Sequence, residues 1–209
     1  MRTAVTRATG VTAAIACLVL AACAPVPVPV KKLAGNADTR ATQRARVAAL
    51  AGRDHWTIEG RLGVSDGHHG GSGSLTWTQN GERYDFTLRA PVTGRSFRLH
   101  GGPQGAELDG LDGGPRYGRN AQQLMARALG WQVPMAQLRA WVLGLRARQV
   151  RPAKLAFGIN GLPSQIVQGG WTVQYPAWFT DRQPALPKKV FAARPPYKVR
   201  LSIESWTFH

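Results

Sequence analysis

Few side chains in this chain of 209 residues have the type and spacing to do covalent or acid–base chemistry. Cys17 and Cys23 are its two cysteines, and a cysteine acts as nucleophile or metal ligand through its thiolate. His68 and His69 sit side by side in Asp66-Gly67-His68-His69-Gly70-Gly71. Neighbours on an extended chain point to opposite sides, so the two rings do not converge on one metal. No other Cys or His lies at zinc-ligand spacing. The stretch reads as a solvated turn, and no metal site is expected. Gly70-Gly71-Ser72-Gly73 precedes a strand pattern, so it lacks the helix N-terminus that lets a glycine-rich loop hold phosphate. Glu59, Glu82 and Asp85 fall on or beside outward strand positions with no acid–base pair among them, and His-Glu-x-x-His is absent. Neither enzyme activity nor a cofactor is expected.

Cys23 stands in a different chemical setting. Arg2 and Arg7 form a short positive segment, and residues 10–22 are a mostly apolar run of 13. That length suits a signal peptide and is too short for a bilayer-spanning helix, which needs about 20 residues. Leu20-Ala21-Ala22-Cys23 resembles the lipobox of bacterial lipoproteins. There the thiol takes a diacylglyceryl group, the peptide is cut before the cysteine, and the new amino terminus is acylated. The implied segments are a signal peptide over 1–22, an acylated Cys23 with a Pro-rich tether over 23–37, and one domain over 38–209. Ala24-Pro25-Val26-Pro27-Val28-Pro29-Val30 cannot be helical, because every second residue lacks an N–H, and it reads as an extended spacer. At ~3.1 Å per residue, the stretch from Cys23 to Asp38 reaches roughly 45 Å. Cys23→Ser is expected to leave a soluble or unprocessed product, while Cys17→Ser changes nothing in the mature chain. A normally sized Cys23→Ser protein extracted from membranes would count against acylation.

Cutting before Cys23 leaves 187 residues, with 25 Lys and Arg against 11 Asp and Glu, a formal charge of +14. Cys23 is then the remaining cysteine, so stability must come from apolar burial. A lipidated envelope protein has no access to nucleic acid, so the basic balance points to anionic headgroups, lipid A phosphates or an acidic protein.

The elements that must position any site follow from periodicity. Asp38 or Thr39 is placed to cap a helix running to about Ala51, with Val47, Ala48, Leu50 and Ala51 on its apolar side. The period then becomes two. Trp56, Ile58, Leu62 and Val64 share one face, Leu75 and Trp77 follow, and Asn80-Gly81 signals a hairpin. Tyr84, Phe86 and Leu88 return inward, then Phe97 and Leu99. Asn120 caps a helix through Leu129 with Gly130 beyond it, and Pro134 opens another carrying Leu138, Trp141, Val142 and Leu145. Strands resume over 154–159, 165–168, 171–175 and 197–208. Roughly ten strands with a few helices bend into a barrel or half-barrel. Trp56, Trp77, Trp141 and Trp206 read as core, and Trp178 falls outside the predicted elements. A strongly curved sheet also encloses more volume than its own side chains fill. The inward positions assigned to an apolar cavity are Trp77, Phe86, Leu88, Phe97, Leu99, Leu138, Trp141 and Val142.

The run from Trp56 to Val64, Ala90-Pro91-Val92-Thr93-Gly94, Leu138-Arg139-Ala140-Trp141-Val142-Leu143-Gly144-Leu145, Pro184-Ala185-Leu186-Pro187 and the end at Ser205-Trp206 occur in the order seen in the LolB family, which the chain resembles over nearly all of its mature length. The resemblance implies a mainly β fold with α: a curved, incompletely closed antiparallel barrel of about eleven strands, covered by a few helices, with an apolar cavity for acyl chains. It implies an outer-membrane receptor, lipid-anchored at the periplasmic face. The receptor takes cargo lipoproteins from the periplasmic carrier LolA and inserts them among outer-membrane phospholipid. It also implies a protruding loop, Pro91, Val92, Thr93 and Gly94, with Val92 where the family has a leucine. Ala24 after the cysteine lets the protein travel outward. A monomer is expected. The alternative is a structural envelope lipoprotein using its charge on anionic lipid A or peptidoglycan, and a closed core would favour it.

Overall fold

The computed structural model describes residues 31–91, 94–132 and 134–209. Cys23, the Pro-rich segment, Val92 and Thr93 therefore lie outside the described residues. The first element is α1 (Ala37–Ala49), followed by β1 (His55–Ser65), β2 (Gly70–Asn80), β3 (Arg83–Arg89), β4 (Ser96–Gly102), β5 (Gly105–Asp109) and β6 (Arg116–Gly118). Two helices, α2 (Ala121–Leu129) and α3 (Met135–Val142), precede β7 (Ala153–Phe157), β8 (Pro163–Gln168), β9 (Trp171–Phe179), β10 (Leu186–Arg194) and β11 (Tyr197–Phe208). All eleven strands form one antiparallel sheet in the order β6-β5-β4-β3-β2-β1-β11-β10-β9-β8-β7. Its edges, β6 and β7, are not paired with each other, so the barrel stays open.

One face of the sheet is dry. Trp56, Ile58 and Leu62 of β1, Leu75 and Trp77 of β2, and Val199, Leu201 and Ile203 of β11 are buried at alternate positions, as period two requires. Glu204 is an extra residue in β11, because Glu59 pairs with Ser205 and Gly60 with Ile203. That bulge moves the inward set from Ile203 to Trp206. Gly60 makes it possible: a Cβ there would lie 2.1 Å from the Ser202 carbonyl oxygen. Trp56 sits at the centre of an aromatic cluster, its ring 4.9 Å from Trp77 and 5.4 Å from Trp206.

Several boundaries differ from the sequence expectation. Asn36, not Asp38 or Thr39, caps α1, its Oδ1 accepting from Thr39 N at 2.8 Å. Val47 is exposed and Arg46 is the buried side chain, because this helix packs on carbonyl groups rather than on apolar surface. The β2–β3 turn is Gly81-Glu82, one residue later than Asn80-Gly81, with Gly81 at φ 58°. Trp178 lies within β9, and Ile159 sits in the β7–β8 turn rather than in a strand. Strands β5, β6 and β10 have no counterpart in the periodicity reading. Asn120 and Gly130 close α2 as expected. The spacer expected to run free to residue 37 is tied down earlier, where Leu33 and Phe157 exchange backbone hydrogen bonds of 2.8 and 3.0 Å.

Candidate acyl-chain site and its latch

The site is built from the dry face and α3. Leu138 and Val142, one turn apart on α3, point at Leu62, Trp77, Phe86, Val190, Ala192, Val199 and Leu201 across an apolar void of about 20 Å³. That holds about one water-sized molecule and is far short of an acyl chain. By the closed-core criterion alone, this compact state favours the anionic-polymer reading.

The eight positions assigned to the cavity from sequence separate into groups. Trp77, Phe86, Leu138 and Val142 line the void. Leu88 packs against the main core beside it. Trp141 is fully buried behind the lining, its indole N–H donating to Gln168 Oε1 at 3.0 Å and its carbonyl accepting from Tyr175 O–H at 2.9 Å. Leu99 belongs to a second cluster with Ala106, Leu108, Ala121 and Leu124 under α2. Phe97 is half-buried on β4. Leu62, Val190, Ala192, Val199 and Leu201 are the lining residues missed from sequence. The alternation of β1 and β11 could have supplied Leu62, Val199 and Leu201, whereas β10 carried no readable period. In the loop, Pro91 and Gly94 are exposed, and backbone bonds from Ala90 N to Arg95 O (2.9 Å) and Gly94 N to Ala90 O (3.1 Å) close it as a turn between β3 and β4.

The two ends of α3 are held differently. At its C-terminal end, Arg46 from α1 donates to the carbonyls of Leu143 and Gly144 (3.2 Å) and to that of Ala185 (2.9 Å), while its guanidinium stacks 4.7 Å from the Trp178 ring. Burial pulls the Arg46 pKa down to about 10, so it stays charged at neutral pH. Burial also pushes the Tyr175 phenol up, which keeps it a neutral donor to Trp141. At the other end, Pro134 offers no side-chain cap, and an exposed 3.3 Å hydrogen bond joins Gln132 to Arg194. Arg194 ends β10 where Ala185 precedes its start, so α3 runs antiparallel to β10, latched at one rim and lightly tied at the other.

The carboxylates are less scattered than their sequence positions suggest. Strand pairing brings His100, Glu107 and Asp109 onto the outward face of β4 and β5 with ligating atoms within 4.8 Å of one another. Arg98 stands beside them in a bidentate pair with Asp85, whose hydrogen bond and charge, reinforced by Asp109 and Glu107, hold the guanidinium protonated. The arrangement is a charge network across three strands. Gly63-Val64-Ser65-Asp66-Gly67 has the spacing of a hydrolase nucleophile elbow, a match absent from the motifs weighed above. Such an elbow needs a strand-to-helix turn. Here Ser65 ends β1 at a hairpin into β2, and its Oγ accepts from Gly67 N at 3.1 Å. His68 and His69 form the turn expected of them, both backbone N–H groups donating to Asp66 Oδ1.

An open, single-sheet half-barrel with helices on its dry face defines the protein as one of the LolA-like fold class. It is similar to the solved structure of a LolA superfamily protein from Nitrosomonas europaea at a TM-score of 0.53 and 9% identity, covering 82% of this chain and 93% of that one. A lipoprotein-sorting protein domain from Vibrio parahaemolyticus gives 0.52 at 10% identity, covering 81% and 91%. Sequence comparison is more specific. The family profile described as outer membrane lipoprotein LolB matches residues 54–206. The outer-membrane lipoprotein LolB of Xanthomonas euvesicatoria is 39% identical over 197 residues, 90% of this chain and 91% of that one. That of Alkalilimnicola ehrlichii is 35% identical over 195 residues, 93% and 94% of the two chains. The chain belongs to the LolB family. It is a lipid-anchored outer-membrane protein of lipoprotein transport, and this decides against the anionic-polymer reading.

Proposed function

We propose that this protein, anchored through Cys23, works as a monomer that takes lipoproteins from the periplasmic carrier LolA and holds their acyl chains between α3 and the dry face of the sheet. The observation that supports this most is the wholly apolar lining shared by Leu138, Val142 and five strands, closed by a helix latched at one end only. Chains enter at the lightly tied end, where Pro134 and Gln132 lie, and lift Leu138 and Val142 from the sheet. Each methylene transferred from water is worth about 0.8 kcal/mol, so a triacyl cargo needs such a wall at every stage of its crossing. Handover between two apolar sites needs no nucleotide. The basic surface favours encounter with an acidic carrier rim more than it adds affinity.

The test is transfer of a labelled lipoprotein from loaded carrier to the acylated protein in vesicles without nucleotide. Transfer is expected, and its absence, or a nucleotide requirement, would refute the reading. In the same assay Val92→Glu is expected to accept cargo normally and to pass it to the bilayer on the order of a hundredfold more slowly. A carboxylate among acyl chains costs about 2.5–3.5 kcal/mol. Unchanged delivery would sink a role for Val92 in insertion, and lost acceptance would assign the loop to the carrier interface.

A further inference from the structure

The turns of an antiparallel meander alternate between two rims, and α1 lies along one of them. Gly35, just before α1, meets the Phe157 ring at the β7–β8 turn, and Gly161 in that turn faces the Thr39 methyl. Midway, Arg46 reaches Ala185 in the β9–β10 connection. Past its end, the Asp54 carbonyl accepts from Gly81 N in the β2–β3 turn. The loop at 90–95, the β1–β2 turn with His68 and the β10–β11 turn occupy the opposite rim.

The α1 rim is basic and carries exposed apolar side chains. From Lys31 to Arg53 the chain has six Lys and Arg and one Asp. Lys31, Lys32, Arg40 and Arg44 are exposed. Beside them Leu33 is 38% exposed, and Ile159 at the tip of the β7–β8 turn is 81% exposed. The tether enters at this same rim, since Leu33 is bridged to Phe157. Cys23 is ten residues upstream, so at ~3.1 Å per residue the anchor lies within about 31 Å of it.

We infer that the α1 rim is a membrane-docking face: Lys31, Lys32, Arg40 and Arg44 lie on anionic phospholipid headgroups while Ile159 and Leu33 dip into the interface. Resting on acylation at Cys23, this sets how the anchored domain stands. The opposite rim, with the lightly tied end of α3 and the 90–95 loop, then faces the periplasm, where a carrier arrives. Delivery through Val92 needs the domain to turn over on its tether. The eleven residues of β1 span about 36 Å, which a stretched tether of about 31 Å nearly matches, so the turned pose is a tilted one. Local concentration supports docking, because the anchor confines basic side chains within a few Debye lengths of the surface.

The experiment uses the acylated protein in vesicles containing a lipid-borne fluorescence quencher. Acylation blocks the Cys23 thiol, so Ile159→Cys and His68→Cys each provide one labelling position, one per rim. With anionic lipid present, strong quenching is expected at 159 and little at 68. Lys31→Gln, Lys32→Gln, Arg40→Gln and Arg44→Gln together should remove most of the quenching at 159, leaving far-UV circular dichroism and acceptance of cargo unchanged. Quenching at 68 and not at 159 would overturn the proposal in favour of the opposite rim. Flotation with vesicles and no quenching at either position would overturn the docked face alone. A chain that fails to float would overturn the anchor, and the docked face with it.

Discussion

Arg46→Ala is expected to cost about 3–5 kcal/mol of stability, although the residue is on a short surface helix. Three carbonyls, those of Leu143, Gly144 and Ala185, lose their donor, and each buried polar group left unpaired costs about 1–3 kcal/mol, partly relieved by entering water. The guanidinium also covers the Trp178 face. The native arrangement tolerates a buried charge with no carboxylate partner because three aligned carbonyl dipoles and a π face replace its hydration. Arg46→Lys should recover only part of the loss, since one ammonium cannot span carbonyls on two separate segments. Urea unfolding measures it as a lower midpoint with an unchanged slope. A loss below about 1 kcal/mol would mean that water satisfies these carbonyls and that α3 is held by something else.

Leu138→Glu should separate function from fold. Leu138 is half-buried on the sheet-facing side of α3, where a glutamate can turn its carboxylate towards the lightly tied end and water. The expected result is a small change in stability and a loss of cargo acceptance on the order of a hundredfold, because the charge would have to lie against acyl chains. Trp141→Ala, three residues on, should do the reverse in kind. It empties a fully buried site and unpairs Gln168, at about 3–5 kcal/mol, and so removes function only by removing fold. Folding and transfer measured on both variants decide the matter. If both unfold the protein equally, α3 is a structural wall and acyl chains bind elsewhere.

The strands that read clearly from sequence are those with one dry face: β1, β2, β3 and β11 alternate without interruption until the Glu204 bulge. β5 and β6 are short, and glycines break their pattern. β10 begins Leu-Pro-Lys-Lys and carries two irregularities in its pairing with β9, so its buried residues never fall into a simple period. A periodicity argument cannot see a strand whose register is set by its neighbours.

The sequence by itself determined the anchor at Cys23, the chain's family and the apolar residues among which a lining had to be found. Each depends on residue type in local order. Tertiary structure decided which of those residues line the void and which fill the core, because Trp141 and Leu138 carry the same signal at helical spacing and differ only in what packs behind them. It also decided that Arg46 is buried. Nothing local marks one arginine among several on α1 as the group that will meet carbonyls 97, 98 and 139 residues away. The sidedness of the molecule is likewise a property of the pairing order alone, since hairpin connections assign each loop to a rim only once every strand has found its neighbour.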